Sequence, residues 1–209
     1  MNIITSKSGL AIILSRLKGF DSPKVQQEQY IMDSEIGASI LWSAYLLGDI
    51  KNKIIVDLGC GTGVLGIGAL LLGAKKVFFI DNDAKALEIA LNNILKVKSE
   101  GYSVGEIKFI EKEIVYVELE ADIVIQNPPF GTKIRHNDMV FLKKAIKIAP
   151  IVYSFHKSES RAFFERFSAK NNAKITHIWD FRFPLKATLS FHRRQIYRIG
   201  VSCFRFEKM

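Results

Sequence analysis

A glycine-rich turn between a buried strand and a helix limits the fold of this chain more than any other feature. Residues 53–58 form an apolar run with little alternation, which predicts a strand covered on both faces. The turn Gly59-Cys60-Gly61-Thr62-Gly63 follows at once, and the small and apolar residues 64–72 predict a helix. A strand, a glycine turn and a helix in this order are typical of the first unit of a nucleotide-binding α/β domain.

The alternation of strands and helices continues towards the carboxyl terminus. Four more strands are predicted at residues 77–80, 107–110, 122–126 and 151–155. The intervening and following helices are predicted at residues 83–96, 138–148 and 158–171, with Phe163, Phe164 and Phe167 facing inward. Residues 175–179 and 195–206 have no helical pattern between them, so they should pair as an antiparallel hairpin. The prediction is a seven-stranded α/β sheet, mostly parallel, with this hairpin at one side.

The first 50 residues have a different pattern from the rest of the chain. Residues 6–18 predict a helix that begins at Ser6 or Ser8, and residues 34–47 predict a second one that ends at Gly48 and Asp49. At 209 residues the chain fits one domain. We therefore expect a single domain over residues 1–209, with a helical cap (1–50) on an α/β core (51–209).

Charge and cysteine content indicate the setting in which the chain works. The net charge of +9 and the pI near 9.5 favour a polyanionic partner such as nucleic acid. No run of about 18 apolar residues occurs, so we expect no membrane span. Cys60 and Cys203 are too few for a disulfide framework or a metal cluster, which favours the reducing cytoplasm. His136, His156 and His177 lack cysteine or carboxylate neighbours at ligand spacing, so no metal site is predicted.

The glycine turn alone does not decide between cofactors. Residues 61–66 also satisfy G-x-G-x-x-G, the pattern of dinucleotide-binding proteins. Asp57 favours another ligand, because a carboxylate two positions before the first glycine attracts a cationic amino-acid tail and repels a pyrophosphate. Asp81 follows the second predicted strand, where it can accept hydrogen bonds from both hydroxyls of a ribose. Glu113 follows the third strand and is either a partner of an adenine amino group or a solvated surface charge.

A second unusual stretch, ADIVIQNPPFG, occupies residues 121–131. Asn127, Pro128, Pro129 and Phe130 follow the fourth predicted strand at its carboxyl end, where ligands bind in open α/β sheets. An amide oxygen and the next carbonyl can both accept from one exocyclic amino group, and proline fixes the backbone. The ring of Phe130 offers a face for stacking a base. The alternative is a simple strand-terminating turn, which the nearby glycine turn makes a poorer interpretation.

These motifs together resemble a known family. The chain is similar to the archaeal and eukaryotic adenosylmethionine-dependent methyltransferases that make N6-methyladenosine in small-subunit ribosomal RNA. The residues that carry the resemblance are 28–30 (EQY), 57–63 (DLGCGTG), Asp81, 127–132 (NPPFGT), 152–157 (VYSFHK) and 191–194 (FHRR). The resemblance implies the seven-stranded methyltransferase fold and S-adenosyl-L-methionine as cofactor. It also implies a small zinc-binding activator protein that adds a strand beside the third strand, residues 106–111.

The resemblance assigns roles to individual residues. Gln29 would close over the methionine part of the cofactor, Asp81 would hold the ribose and Glu113 the adenine. Counting Asp57 and the turn, the predicted cofactor-binding residues are Gln29, Asp57, Gly59, Gly61, Thr62, Gly63, Val64, Asp81, Glu113 and Asn127. The predicted catalytic residues, which receive the target base, are Asn127, Pro128, Pro129 and Phe130. One departure is that Ile31-Met32 follows EQY where the family has Pro-Thr, which removes the threonine contact to the cofactor.

Basic residues beside the second motif and in the tail are candidates for gripping RNA phosphates. They are Lys133, Arg135, His192, Arg193 and Arg194. A solvated charged face is the alternative interpretation of both groups.

Other activities fit parts of the same pattern. A protein N5-glutamine or DNA N6-adenine methyltransferase would use the Asn-Pro-Pro-Phe motif on a similar planar nitrogen. An NAD-dependent oxidoreductase would use G-x-G-x-x-G but would leave that motif without a role. An RNA-binding module without catalytic activity would bind no adenosylmethionine.

Overall fold

The computed structural model describes residues 2–21, 23–24, 29, 31–129, 137–185 and 197–209. Helices and strands alternate over most of this part of the chain. In order they are α1 (Lys7–Ser15), α2 (Ser34–Leu46), β1 (Ile54–Leu58), α3 (Val64–Leu71), β2 (Lys76–Asp81), α4 (Ala84–Ser99), β3 (Glu106–Glu111), β4 (Ile123–Gln126), α5 (Asn137–Ile148), β5 (Ile151–Lys157), α6 (Arg161–Lys170), β6 (Ala173–Leu185) and β7 (Tyr197–Lys208).

The strands form one sheet in the order β3-β2-β1-β4-β5-β7-β6. The pairs from β3 to β5 are parallel, and β7 runs antiparallel to both β5 and β6. This confirms the predicted seven-stranded sheet with its antiparallel hairpin. The chain leaves β1 towards β2 on one side, and β4 lies on the other side. Such a change of direction opens a crevice at the carboxyl ends of the strands.

Apolar side chains cover both faces of the sheet, which therefore lies between two helical layers. Helices α1 to α4 share one core with one face of the sheet, in which Leu41, Leu65 and Phe79 are buried. Helices α5 and α6 cover the other face, where Leu142 and Phe164 are buried. The N-terminal helices α1 and α2 thus belong to the same core as the first βα unit.

Side-chain caps explain where three of the described helices begin. The Ser6 hydroxyl accepts from the Gly9 N–H at 3.1 Å, Asp33 accepts from the first turn of α2, and Asp83 accepts from the Lys85 N–H at 3.2 Å. Of the two starts predicted for the first helix, Ser6 is the one that the structure confirms. Helix α3 differs, because its N-cap is Gly63, which has no side chain to offer.

The sequence-based prediction was wrong about one aromatic side chain on α6. Phe164 and Phe167 are buried, but Phe163 is 43% exposed and meets Phe164 edge-on. The helical positions of residues 164, 167 and 168 define the buried face, and residue 163 falls at its flank. The predicted helix 158–171 also begins as a 3-10 turn at Ser158–Ser160, before α6 proper.

No helix within the described residues is long and apolar enough to cross a membrane.

Candidate active site

A cavity of about 440 Å³ lies at the carboxyl ends of β1, β2 and β4. Its size is within the usual range for small-molecule sites. The predicted site residues that line it are Gln29, Asp57, Gly59, Gly61, Thr62, Val64, Asp81, Glu113, Asn127 and Pro129. The fold therefore brings both sequence motifs to one cavity, although they are more than 60 residues apart in the chain.

The glycine turn has a conformation that only glycine adopts without strain. Gly59 and Gly61 have φ angles of +71° and +52°. A Cβ on Gly59 would lie 2.7 Å from the ring of Phe141, and one on Gly61 would lie 2.9 Å from the ring of Phe20. The turn is tied to β2, because the N–H groups of Gly59 and Cys60 both donate to the Ile80 carbonyl. Backbone and two aromatic rings therefore form this wall of the cavity.

Asp57, the penultimate residue of β1, supplies the cap that Gly63 cannot provide. Its Oδ2 atom accepts from the Gly66 N–H at 2.7 Å, in the first turn of α3. The residue is 2% exposed and lines the cavity. Burial raises the pKa of the Asp57 carboxyl to about 7; the Gly66 hydrogen bond lowers it, and the charge of Asp81 raises it. Its position allows the predicted contact with a cationic ligand, but Asp57 also has a structural role that the sequence did not reveal.

Asp81 joins the glycine turn to the end of β2. Its Oδ2 accepts from the Gly61 N–H at 2.8 Å, and its Oδ1 accepts from the Asp83 N–H at 3.0 Å. Burial raises the pKa of the Asp81 carboxyl, and these two hydrogen bonds oppose that change. Each carboxylate oxygen has a second acceptor site, so both can still receive a hydroxyl of a ligand.

Gln29 lies at the rim of the cavity, where an ionic contact holds the preceding segment. Its Nε2 donates to Asp83 Oδ2 at 2.9 Å, and its Oε1 accepts from the Lys24 N–H at 2.9 Å. Lys24 Nζ also contacts Asp83 Oδ2 at 2.8 Å. Hydrogen bonds from Lys24 and Gln29 lower the pKa of Asp83, against the effect of its burial. The segment before α2 is thus tied to the start of α4, above the glycine turn.

Glu113 is exposed at the far end of the cavity, just before the 3-10 turn Ile114–Tyr116. Its Oε1 accepts from the Asn82 Nδ2 at 2.8 Å. Asn82, which the sequence analysis did not single out, therefore orients the carboxylate that was predicted to meet an adenine amino group. Its signal in the sequence was its position directly after Asp81.

Asn127, Pro128 and Pro129 continue β4 into the cavity wall. Asn127 and Pro129 line the cavity, while Pro128 is buried beside it. Asn127 thus lines the same space as Asp57 and the glycine turn. Its role in holding a base against a bound cofactor stays a prediction.

Several predicted site residues lie outside the described residues. They are Phe130, Lys133, Arg135, His192, Arg193 and Arg194. Their roles stay predictions. Within the described part of the chain, no three His, Cys, Asp or Glu side chains are grouped so that they could hold a metal ion.

Sequence reasoning missed the aromatic walls of the cavity. Phe20 follows α1 and Phe141 lies on α5, and each ring contacts a glycine of the turn. No local pattern identifies such residues, since their contacts join parts of the chain that are 41 and 82 residues apart. Ile31 and Met32, which replace the family's Pro-Thr, also line the cavity.

Comparisons with known proteins agree with this geometry. A family profile described as ribosomal protein L11 methyltransferase matches residues 39–128, the stretch that ends within the Asn-Pro-Pro motif. The rRNA N(6)-adenosine-methyltransferase METTL5 of Danio rerio is 36% identical over 92% of this chain and 94% of its own length. The Mettl5 protein of Drosophila melanogaster, with the same description, is 31% identical over 93% and 92%.

A solved structure matches over the whole fold. The crystal structure of PH1948 from Pyrococcus horikoshii superposes with a TM-score of 0.89 at 42% identity, covering 99% of this chain and 100% of that one. Relatives above 30% identity thus match along almost their full length. The chain therefore belongs to the family of rRNA N6-adenosine methyltransferases.

Proposed function

We propose that the chain transfers a methyl group from S-adenosyl-L-methionine to the N6 atom of an adenine in small-subunit ribosomal RNA. One observation carries this proposal: a single cavity is lined by the glycine turn, by Asp81 and by Asn127. The first two suit a nucleoside-containing cofactor, and the third suits the amino group of a base. The family assignment supports the same reaction.

The charges around the cavity fit S-adenosyl-L-methionine better than a dinucleotide. Among the described residues, the lining contains the carboxyl groups of Asp57, Asp81 and Glu113 and one basic residue, Lys112. A pyrophosphate would be repelled there, whereas a cofactor with an ammonium and a sulfonium group would be attracted. When bound, S-adenosyl-L-methionine supplies an electrophilic methyl group on its positively charged sulfur.

The cofactor is held by residues on three sides of the cavity. Asp81 accepts hydrogen bonds from the ribose hydroxyls, and Glu113 accepts one from the adenine amino group. Gln29 covers the methionine part from the rim, and Asp57 attracts its ammonium group. The remaining contacts come from the turn and the start of α3, through Gly59, Gly61, Thr62 and Val64. Gly63, predicted as a further contact, faces Ala90 and Phe79 in the core and does not line the cavity.

The target adenine is held by the end of β4. The Asn127 amide oxygen and the Pro128 carbonyl accept the two N–H bonds of the exocyclic nitrogen. This pulls its lone pair out of conjugation with the ring, so no strong base is required, and rate comes from proximity and orientation. Pro129 keeps the backbone rigid, and Phe130 stacks on the base, with a gain of about 1–3 kcal/mol. The base must be unpaired or flipped out to reach this position.

Substitution of Asn127 tests the assignment. Asn127→Ala should abolish methyl transfer and leave the Kd for S-adenosyl-L-methionine within a few-fold of wild type. Assays in parallel on small-subunit ribosomal RNA, on DNA and on a release-factor protein identify the substrate polymer. Full turnover in Asn127→Ala removes this residue from the mechanism, and methylation of DNA or protein in place of RNA refutes the substrate.

The basic residues Lys133, Arg135, His192, Arg193 and Arg194 are proposed to bind RNA phosphates near the cavity mouth. Replacing both Arg193 and Arg194 with Glu should weaken RNA binding. The slope of log K against log salt concentration should also become smaller in magnitude by about one to two. The matched control replaces Arg161 and Arg166 on α6, which lie outside the proposed surface. An unchanged salt slope in the Arg193/Arg194 variant contradicts the assignment.

The small zinc-binding activator protein is proposed to add a strand beside β3, residues 106–111. Two features support this site. β3 is at the edge of the sheet, with Ile107, Phe109 and Ile110 only half-buried. Around it, Leu91 and Leu95 of α4 and Val115 and Tyr116 of the following turn are 43–66% exposed. The leucines lie on the side of α4 away from Asn93, which faces α1.

Co-purification tests the activator site. Leu95→Glu and Tyr116→Glu should each lower the yield of the co-purified partner without changing the Kd for the cofactor. Leu46→Glu is the matched control, because Leu46 is 70% exposed on α2, away from β3. Equal partner yields in all three variants contradict the proposed site.

The cytoplasmic location expected from the sequence stays a prediction.

A further inference from the structure

A line of buried polar side chains runs from the end of β4 to the start of α5. Gln126 Nε2 donates to Ser154 Oγ at 2.8 Å, and Ser154 Oγ lies 2.7 Å from His156 Nε2. On the far side of the ring, His156 Nδ1 lies 3.6 Å from Asp138 Oδ2. Gln126, Ser154 and His156 are at most 1% exposed. We call these four residues the relay.

The relay lies in an otherwise apolar layer. The His156 ring stacks against Phe164 at 3.9 Å between centroids and also contacts Phe204. Polar groups in such surroundings lose their hydration, and apolar side chains of similar volume would often stabilise a fold as well. Stability alone therefore does not explain why three consecutive members of the relay are polar.

The relay connects the two ends of the segment that carries the catalytic motif. Gln126 directly precedes Asn127, and Asp138 is the second residue of α5, the next helix after the motif. Ser154 is the register partner of Gln126 on β5. The chain between Gln126 and Asp138 is thus bridged through the side chains of β5.

The proton positions in the relay follow from the donor and acceptor capacities of its members. Burial lowers the pKa of His156, against the effect of Asp138, so the ring is neutral at pH 7. Asp138 Oδ2 lies 3.6 Å from Nδ1, beyond hydrogen-bond distance, and Nδ1 has no hydrogen-bond partner among the described residues. A carboxylate at this distance still favours the ring proton on Nδ1 by its charge, which leaves Nε2 to accept from the Ser154 hydroxyl. The Ser154 oxygen in turn accepts from Gln126. The two hydrogen bonds, from Gln126 to Ser154 and from Ser154 to His156, then each have one donor and one acceptor, and Asp138 acts on the ring through its charge.

Among the described residues, Ser154 is the hydrogen-bond partner that holds the side-chain amide of Gln126. Its Oε1 atom is buried without a hydrogen-bond partner among the described residues. The bond to Ser154 is therefore the link that orients this side chain. Loss of the Ser154 hydroxyl would release the residue that precedes the catalytic asparagine.

We propose that Gln126, Ser154, His156 and Asp138 are positioning residues that hold the Asn127-Pro128-Pro129 segment in place for methyl transfer. The proposal rests on the function proposed above. None of the four lines the cavity. They act through Asn127, whose amide must lie within hydrogen-bond distance of the target nitrogen. A displacement of about 1 Å at such a group can lower a rate by about two orders of magnitude.

The test compares two neighbours on β5. Ser154→Ala breaks the relay, whereas Tyr153→Phe removes an equally buried hydrogen bond, to Asp49, on the opposite face of the sheet. For the full chain with small-subunit ribosomal RNA, Ser154→Ala should lower kcat about tenfold or more, with the KM for RNA and the cofactor Kd within a few-fold. Tyr153→Phe should keep kcat near wild type despite a similar loss of thermal stability. Ser154→Thr, which keeps the hydroxyl, should restore most of kcat.

A second measurement does not depend on activity. In hydrogen exchange, the peptide that contains Asn127 should exchange faster in Ser154→Ala and not in Tyr153→Phe. Gln126→Met is the second variant, which decides the question if Ser154→Ala does not fold, and it should show the same low kcat and fast exchange. Equal kcat values and equal exchange in the Ser154→Ala and Tyr153→Phe variants would overturn the proposal that the relay positions the Asn127 segment. If wild type methylates no RNA, the proposed function fails, and exchange alone then supports or overturns the relay.

Discussion

Asp49 and Asp57 are buried to a similar depth, at 5% and 2% exposure, but their surroundings differ. Asp49, after α2, accepts from the Tyr153 hydroxyl at 2.6 Å and from Arg205 Nε at 2.8 Å. Asp57 accepts one backbone N–H, from Gly66. Among the described residues no Lys or Arg forms an ion pair with Asp57. Within the described residues, one carboxylate has a cationic partner and the other has none.

The difference separates a structural carboxylate from one that is kept for a ligand. A buried charge is stable only when it is paired and hydrogen-bonded. Arg205 meets that need for Asp49, and the pairing raises the pKa of Arg205 even though burial lowers it. Asp57 lines the cavity, and we propose that a cationic ligand supplies its counter-charge there. The pKa of Asp57 is raised in the ligand-free protein because its carboxyl group is buried and no cation among the described residues offsets its charge.

The largest effect is expected on the structural side of the comparison. Arg205→Met leaves Asp49 buried without its cation, and we expect the free energy of unfolding to fall by about 3–5 kcal/mol. Urea denaturation of the purified chain measures it. The double variant Asp49→Asn/Arg205→Met is the control and should recover much of the loss, because it no longer buries a charge. A loss of under about 1 kcal/mol in Arg205→Met would contradict this role for the ion pair.

The opposite response is expected for Asp57. Asp57→Asn keeps an acceptor for the Gly66 N–H, so the free energy of unfolding should not fall at pH 8. Without the carboxylate, the Kd for S-adenosyl-L-methionine should rise about tenfold to a hundredfold, equivalent to about 1.5–3 kcal/mol for a hydrogen bond to a charged group. Calorimetric titration measures the affinity. If binding were unchanged and the chain destabilised, Asp57 would be structural like Asp49, and the comparison would collapse.

The same pair of residues shows what the sequence could and could not predict. Asp57 was identified as a site residue because it precedes the glycine turn. The signal therefore lies in residues that are close together in the sequence. Asp49 was interpreted only as the end of a helix, because its partner Arg205 is 156 residues away. Local motifs placed the turn, Asp81 and the Asn-Pro-Pro segment correctly in one cavity. Contacts between distant parts of the chain had no signal in the sequence.

The fold was more predictable than the site, and for a related reason. Period and apolar runs predicted every strand of the sheet, since each strand, from the 4 residues of β4 to the 13 of β6, carries its own pattern. The aromatic walls Phe20 and Phe141 and the relay through Ser154 depend on register and on which face a side chain occupies. Phe163 shows the same limit, because one position along a helix decided between burial and exposure.

A change of pH is expected to have a moderate effect on the stability of the chain and on its affinity for the cofactor. The carboxyl of Asp57 has a pKa of about 7 against a usual 3.8, so the stability that its neutral form contributes is present at low pH and lost as pH rises through about 7. A cationic cofactor requires the ionised form, and its binding should strengthen in the same range. We expect the Kd for S-adenosyl-L-methionine to fall about tenfold from pH 6 to pH 8. In Asp57→Asn most of this dependence should vanish. An identical pH profile in that variant would assign the effect elsewhere.

The smallest effect on stability is expected for the Tyr153 hydroxyl, the second hydrogen-bond donor to Asp49. Tyr153→Phe removes one of two strong donors while Arg205 still neutralises the charge, so the expected loss in the free energy of unfolding is about 1 kcal/mol. Urea denaturation at pH 7 resolves a change of this size from the loss of about 3–5 kcal/mol expected for Arg205→Met. The cofactor Kd should not change, because Tyr153 and Asp49 lie on the face of the sheet core away from the relay and do not line the cavity. If Tyr153→Phe proved as damaging as Arg205→Met, hydrogen bonding rather than charge pairing would hold Asp49. The distinction drawn between Asp49 and Asp57 would then rest on donor number alone.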